Sequence, residues 1–137
     1  MTSKTFLLVI CLAVTLGQPA QVRGKNIGVD IVGGTETKPH QYPSIVDVRR
    51  FSGSTTYHNC GGSIINEYWI VTAAHCSTGV PSNYQIIAGD HNINQVEGTE
   101  QQRQVLTIIR HEQYNGLTYE NDIALMKVDR PFQLNEH

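Results

Sequence analysis

The sequence has 137 residues, which is enough for one ordinary domain with a small hydrophobic core. Its formal net charge is −2, and only 16% of its residues are charged. Basic residues form no cluster, so the sequence lacks the electrostatic surface that nucleic-acid-binding proteins present, and we expect no nucleic-acid partner.

The amino-terminal residues predict a secretory signal peptide over residues 1–17. A positively charged start precedes the apolar run 6–14, which is too short to span a bilayer comfortably. Thr15 and Gly17 are small residues at the −3 and −1 positions for cleavage before Gln18. A buried strand or helix of the folded protein is the alternative. We expect a secreted, extracellular protein whose mature chain has no membrane span.

Residues 18–30 are polar, contain glycine and show no periodicity, and they predict a propeptide or spacer. The folded part is expected to begin at Ile31. There the sequence Ile-Val-Gly-Gly at 31–34 places two β-branched residues before two flexible glycines. Taken alone, this pattern is typical of many junctions between a strand and a turn.

Short apolar runs separated by turn residues follow along the rest of the chain. The runs are 45–48, 57–65, 68–72, 84–88, 105–110 and 123–128. No stretch after the signal keeps an apolar face at helical spacing for ten residues. The sequence therefore predicts an all-β fold of six strands, a sandwich or a barrel. Residues 49–57, which begin with Arg-Arg, are expected to form an exposed loop.

Two cysteines, Cys60 and Cys76, are expected to remain once the signal peptide and its Cys11 are removed. In an oxidising compartment two thiols predict one disulfide. It would close a loop of about 16 residues and contribute roughly 3 kcal/mol by loss of chain entropy in the unfolded state. A zinc site from His58, Cys60, His75 and Cys76 is the competing interpretation, although adjacent His-Cys ligands fit a tetrahedral site poorly.

A histidine and an aspartate stand out as candidates for proton transfer. The apolar run Trp-Ile-Val-Thr at 69–72 leads through two alanines to His75, which holds an imidazole at the end of a rigid element. An unperturbed imidazole titrates near neutral pH and suits general acid–base catalysis. Asp122 precedes the apolar strand 123–128 and could orient that imidazole. A core histidine and a turn aspartate are the respective alternatives.

An acidic stretch at 89–100 carries three carboxylates, Asp90, Glu97 and Glu100, among amides and a glycine. Carboxylates in flexible geometry suit a hard cation such as Ca²⁺. A solvated acidic hairpin loop is the alternative, and the residues alone leave both open.

Four motifs together resemble the chymotrypsin-like serine proteases, most closely the secreted trypsins of invertebrates. They are Ile-Val-Gly-Gly at 31–34, Cys-Gly-Gly-Ser at 60–63, Thr-Ala-Ala-His-Cys at 72–76 and Asn-Asp-Ile-Ala-Leu at 121–125. The resemblance implies that residues 31–137 form one six-stranded antiparallel β-barrel, the first of the two barrels of that fold. It also implies a serine endopeptidase, a hydrolase with polypeptide substrates and protein protease inhibitors as partners.

The resemblance assigns roles to individual residues. His75 would act as general base and then as general acid, and Asp122 would hold its tautomer. Cys60 and Cys76 match the disulfide beside the catalytic histidine. Tyr119 falls where the family lines the pocket beside the primary specificity site.

Ile31 matches the amino terminus that the family exposes when its zymogens are activated. Asp30 stands immediately before it, where trypsin-like zymogens usually carry Lys or Arg. Direct cleavage by a trypsin-like activator is therefore not expected at this bond.

The acidic stretch resembles the calcium loop of trypsins. Asp90, Glu97 and Glu100 fall on side-chain ligand positions, and Asn92 and Gln95 fall on carbonyl positions. Calcium would be structural, since the chemistry of the family requires no cofactor.

No Gly-Asp-Ser-Gly-Gly segment occurs among the 137 residues. The family draws its nucleophilic serine and oxyanion hole from that segment. We expect this sequence to be the amino-terminal half of a longer protease, inactive alone and completed by a carboxy-terminal barrel. The alternatives are a truncated, non-catalytic homologue that acts as an extracellular binding module and, more weakly, a calcium-binding module.

Overall fold

The computed structural model describes residues 34–135. The predicted signal peptide over residues 1–17, the spacer over 18–30 and the new amino terminus at Ile31 lie outside the described residues. From Glu36 onward the described chain belongs to one compact unit.

Six antiparallel strands form a closed barrel, which confirms the predicted fold class. The strands are β1 (Ile45–Ser52), β2 (Thr55–Asn66), β3 (Trp69–Thr72), β4 (Tyr84–Ala88), β5 (Gln101–Arg110) and β6 (Ala124–Val128). Around the barrel their order is β1-β2-β3-β6-β5-β4. Two short 3-10 helices, Ala74–Ser77 and Pro81–Asn83, lie between β3 and β4. They are too short to show a helical pattern in the sequence.

The pairing between β3 and β6 determines where the candidate site forms. Thr72, the last residue of β3, pairs with Ala124, the first residue of β6. His75 lies three residues after Thr72, and Asp122 lies two residues before Ala124. One end of this strand pair therefore brings both candidate catalytic residues to the same end of the barrel.

The barrel interior is filled by side chains from the inward faces of its strands. In β6, Ala124, Met126 and Val128 are buried, whereas the residues between them are only partly buried. The largest fully buried side chains include Tyr84 and Ile70, and burying each aliphatic one contributes about 1.5–3 kcal/mol. The buried phenol oxygen of Tyr84 accepts a hydrogen bond from a backbone N–H at 2.9 Å, so it is not left unpaired.

The predicted exposed loop at 49–57 is wrong, because β1 and β2 continue through it as a hairpin. Arg49 and Arg50 are strand residues that pair with β2 on one side and with β4 on the other. Asp47 is buried and accepts hydrogen bonds from Arg49 Nε and from His58 Nδ1, each at 2.7 Å. The first arginine is thus held against the sheet by a buried carboxylate, which the local sequence pattern does not reveal.

No helix within residues 34–135 has the length and hydropathy that crossing a membrane requires.

Candidate active site

His75 lies on the 3-10 helix that follows β3. Ala74 and Cys76, on either side of it, are buried, whereas the His75 side chain is 48% exposed. The two small residues Ala73 and Ala74 allow this tight turn directly at the strand end. The backbone therefore presents the imidazole to solvent from a buried support.

The support is fastened to β2 by a disulfide and by side-chain hydrogen bonds. Cys60 and Cys76 are joined with their Cα atoms 6.0 Å apart, as the cysteine count predicted. With both sulfurs bonded to each other, they are not thiolate ligands for the zinc site considered above. Asn59 Nδ2 donates to the carbonyl of Cys76 at 3.0 Å, and Thr72 Oγ1 donates to the carbonyl of Gly61 at 2.8 Å.

Asp122 contacts both the ring and the backbone of His75. Its Oδ2 lies 2.6 Å from Nδ1 of the imidazole, and its Oδ1 accepts the backbone N–H of His75 at 2.8 Å. The structure therefore brings together the two residues that the sequence singled out, 47 positions apart in the chain. Nε2 lies 3.3 Å from the Cys76 sulfur, on a ring that is half exposed.

Electrostatics favour an ionised Asp122. The hydrogen bond from the His75 ring, followed by that from the His75 backbone N–H, holds the pKa of Asp122 below its usual range. A carboxylate that remains ionised keeps the Nδ1–H tautomer of the ring, and it can stabilise the imidazolium that forms when Nε2 takes up a proton.

Tyr119 lies beside the imidazole, on the loop that leads to Asp122. Its ring meets the His75 ring edge-on, with centroids 5.8 Å apart and planes at 80°. Tyr119 and Asn121 both adopt positive φ, at 59° and 57°, so the loop turns sharply on each side of Glu120. The Tyr119 side chain is largely exposed and forms a wall next to the exposed imidazole.

Sequence reasoning did not identify two supporting asparagines. Asn59 holds the carbonyl of Cys76, and Asn121 Nδ2 donates to the carbonyl of Gln113 at 3.0 Å, which braces the loop before Asp122. A signal for Asn121 was available, since asparagine tolerates positive φ better than most residues and precedes the aspartate directly. No local signal marks Asn59, because its partner is a backbone carbonyl 17 positions away in the chain.

The acidic stretch at 89–100 directly follows β4 and forms a second cluster of side chains. Carboxylate oxygens of Asp90, Glu97 and Glu100 lie within 4.8 Å of one another. Asn92 and Gln95 form a turn within the loop, where the carbonyl of Asn92 accepts the N–H of Gln95 at 2.8 Å. The structure thus brings together the three predicted side-chain ligands, whereas the two carbonyl ligands remain predictions.

Within this cluster the three carboxylates differ in which groups offset their negative charge. Backbone N–H groups donate to Glu97 and Glu100 and lower the pKa of each. The Asp90 side chain is 5% exposed, and burial raises its pKa against the opposing effect of the Arg49 guanidinium 3.9 Å away. Its Oδ1 is buried without a hydrogen-bond partner among the described residues. An unpaired buried oxygen beside two carboxylates fits a bound cation.

Comparison with known proteins places these features in a family. The sequence profile described as Trypsin matches residues 31–137. The chain is 46% identical to coagulation factor IX of Cavia porcellus over 110 residues, 78% of this chain and 36% of that protein. It is 38% identical to chymotrypsin-like elastase family member 1 of Homo sapiens over 109 residues, 78% of this chain and 42% of that protein.

A third relative is cationic trypsin-3 of Rattus norvegicus, 44% identical over 105 residues, 77% of this chain and 39% of that protein. The chain therefore spans about two fifths of the length of the curated relatives it matches. The profile covers most of this chain. This chain belongs to the trypsin family of chymotrypsin-like serine proteases.

Proposed function

We propose that the protein is a serine-type endopeptidase of trypsin-like character, and that this barrel supplies its general base. The observation that carries the proposal is the two-point contact between Asp122 and His75, which fixes both the ring and its backbone. Its substrates would be polypeptides, and its natural ligands would include protein protease inhibitors. The disulfide supports an oxidising, extracellular location.

In the proposed reaction, His75 Nε2 takes the proton of a serine hydroxyl as that oxygen attacks the scissile carbonyl. The same proton then passes to the leaving amine as the C–N bond breaks, which leaves an acyl ester on the serine and a neutral imidazole. A water that gives its proton to Nε2 then attacks the ester, and that proton passes to the serine oxygen as the acid product leaves. Asp122 does not take up this proton but keeps Nδ1–H in place and stabilises the transient imidazolium. Tyr119 would contact the substrate beside the scissile bond, because its ring flanks the imidazole.

The 137 residues contain no Gly-Asp-Ser-Gly-Gly segment, from which the family draws its nucleophile. We therefore propose that a polypeptide of these residues alone hydrolyses no peptide bond and that activity needs a carboxy-terminal barrel. The alternative, a truncated, non-catalytic homologue acting as an extracellular binding module, predicts no hydrolysis.

The test uses the full-length protein with its amino terminus processed to Ile31, assayed on peptide anilides that end in Lys, Arg, Phe or Ala. We expect hydrolysis that is lost in His75→Ala and retained in His111→Gln, a control at an exposed histidine outside the pair. Hydrolysis that survives His75→Ala, or a processed protein inactive on every substrate, would contradict the proposal.

We also propose a structural calcium site at Asp90, Glu97 and Glu100. The unpaired, buried Oδ1 of Asp90 is the specific observation in its favour. A bound Ca²⁺ would give this oxygen a partner and offset the repulsion among three carboxylates that lie within 4.8 Å of one another. Arg49 compensates only part of that charge, because its nearest guanidinium nitrogen is 3.9 Å from Asp90.

Calcium binding can be tested by the thermal stability of the full-length protein and of Asp90→Asn, each with Ca²⁺ or with chelator. The pKa of Asp90 is raised, so its ionised form destabilises the calcium-free fold at neutral pH. We therefore expect Asp90→Asn to raise Tm in chelator and to abolish the increase that Ca²⁺ produces in the wild type. Glu112→Gln, at an exposed carboxylate outside the cluster, should retain the calcium response. An equal calcium response in wild type and Asp90→Asn would exclude this site.

A further inference from the structure

We propose that Arg110 is a positioning residue for the catalytic pair: its side chain holds the turn that carries His75, while its backbone holds the strand that follows Asp122. The expected effect on kcat rests on the proposed function.

The guanidinium of Arg110 binds the chain just after His75. Nε donates to the carbonyl of Ser77 at 2.8 Å and lies 3.2 Å from Ser77 Oγ. Nη2 donates to the carbonyl of Gly79 at 2.8 Å and also contacts the carbonyl of Ser77. A planar guanidinium can serve two acceptors at once with fixed geometry, which a lysine ammonium cannot reproduce.

Ser77, whose carbonyl accepts hydrogen bonds from Arg110, is itself connected to His75. Ser77 is fully buried and is the last residue of the 3-10 helix that carries the histidine. Its hydroxyl donates to the carbonyl of Ala74, the residue before His75, at 2.8 Å. The arginine thus fixes the far end of a single helical turn, and displacing that end would tilt the imidazole.

The backbone of Arg110 pairs with the strand that follows Asp122, the second residue of the catalytic pair. Arg110 is the last residue of β5 and pairs with Ala124, two positions after Asp122. The next residue, His111, donates its N–H to the carbonyl of Ile123 at 3.0 Å. One residue therefore connects the turn bearing the imidazole with the strand bearing the carboxylate.

Arg110 complements the supports described above. The disulfide and Asn59 fasten the turn to β2. Arg110 fastens it to β5, which is the neighbour of β6 in the barrel. The distance between His75 and Asp122 is thus determined from both sides, and removing the β5 side leaves the turn with its attachments to β2, β3 and Asp122.

The expected consequence is a loss of turnover without a loss of substrate binding. Displacing a catalytic group by about 1 Å can cost on the order of 10²-fold in rate. We expect Arg110→Met to lower kcat by about 10- to 100-fold with KM nearly unchanged, and Arg110→Lys to fall between Met and wild type.

Arg103→Met is the matched control. Arg103 also donates to backbone carbonyls, at 3.0 Å to Pro131 and at 2.9 Å to Gln102, but at the opposite end of β5. Its loss removes similar hydrogen bonds far from the pair, so any fall in stability should leave kcat within about twofold of wild type.

The experiment measures kcat and KM of the three variants in the full-length protein, together with the NMR signal of the His75 Nδ1 proton. We expect this signal to be shifted or broadened in Arg110→Met and retained in Arg103→Met. Equal kcat values and an unchanged signal in both variants would overturn the role of Arg110. An inactive wild type would contradict the proposed function, and the proton signal would still decide the role of Arg110.

Discussion

Asp122 contacts His75 in two ways, through the ring and through the backbone. One oxygen orients the imidazole, and the other accepts the backbone N–H of the same residue. The carboxylate therefore fixes both the tautomer of the ring and the position of the turn.

We predict that Asp122→Asn lowers kcat by about 10⁴-fold, which is the magnitude that the same change produces in the general Ser-His-Asp template. An amide can donate to Nδ1 and so favours the wrong tautomer. The measurement is steady-state hydrolysis of a peptide anilide by the full-length protein. Asp129→Asn is the control, because Asp129 also accepts a backbone N–H, from Gln104 at 3.0 Å, but away from the site. A loss below tenfold in Asp122→Asn would contradict the orienting role.

The lowered pKa of Asp122 also predicts a pH-dependent stability. A carboxyl group whose pKa is lower in the folded protein stabilises the fold above its ordinary pKa, and this contribution disappears as pH falls through the folded value. We expect wild type to be more stable than Asp122→Asn at pH 7 and the difference to shrink below about pH 4. Urea denaturation at pH 7 and at pH 3 measures both, and an unchanged difference would refute the assignment.

The chemistry of the site could be predicted from short motifs, but its supports could not. His75 and Asp122 stand in patterns whose residue types suit proton transfer, and the structure brings them into contact. Asn59 and Arg110 bind backbone carbonyls that are 17 and 33 positions away in the chain. Nothing about either residue type marks such a role, because the acceptor becomes available only after folding.

At the scale of elements, the six strands were predictable and several of their ends were not. Short apolar runs in the sequence mark the position of each strand. β1 and β5 extend beyond their predicted runs through polar residues, to Ser52 and from Gln101. Those ends are held by backbone pairing with neighbouring strands, which imposes no apolar pattern on the side chains.

Gly89 at the end of β4 is predicted to be irreplaceable. It adopts φ of +71°, and an added methyl group would overlap the carbonyl oxygen of Thr99. Gly53 has φ of +61° but nothing within 4 Å of such a group. We expect Gly53→Ala to cost about 1 kcal/mol from backbone strain alone and Gly89→Ala to cost clearly more. Thermal denaturation of the two variants tests this order, and equal losses would contradict it.

At the scale of the whole molecule, closure of the barrel gives every strand two partners. The apolar pattern of the sequence does not predict this order of strands. Backbone hydrogen bonds can join any two strands, so they impose no residue pattern that identifies the neighbouring strand. Closure also creates a continuous core to which each strand contributes, with Ile70 at 0% exposure near the centre of β3.

We predict that Ile70→Ala destabilises the barrel by about 2–5 kcal/mol, because the cavity left in a closed core can collapse only partly. Ile109 on β5 is 50% exposed, and Ile109→Ala should cost no more than about 1 kcal/mol. Hydrogen exchange measures the protection of the β3 and β6 amides in each variant, and we expect protection to fall more in Ile70→Ala than in Ile109→Ala. Similar protection in both variants would contradict tight packing around Ile70.

Closure through β6 has a consequence for how the protein is made. β6 is the last of the six strands within residues 34–135, yet it lies between β3 and β5. After β3 has been synthesised, its outer edge stays unpaired while about 50 more residues are added, a delay of roughly 3 to 10 s at ordinary rates of translation. During that interval the nascent chain carries an imidazole without its carboxylate. The same strand pair closes the barrel and brings Asp122 to His75, so the two residues meet where β3 and β6 are paired.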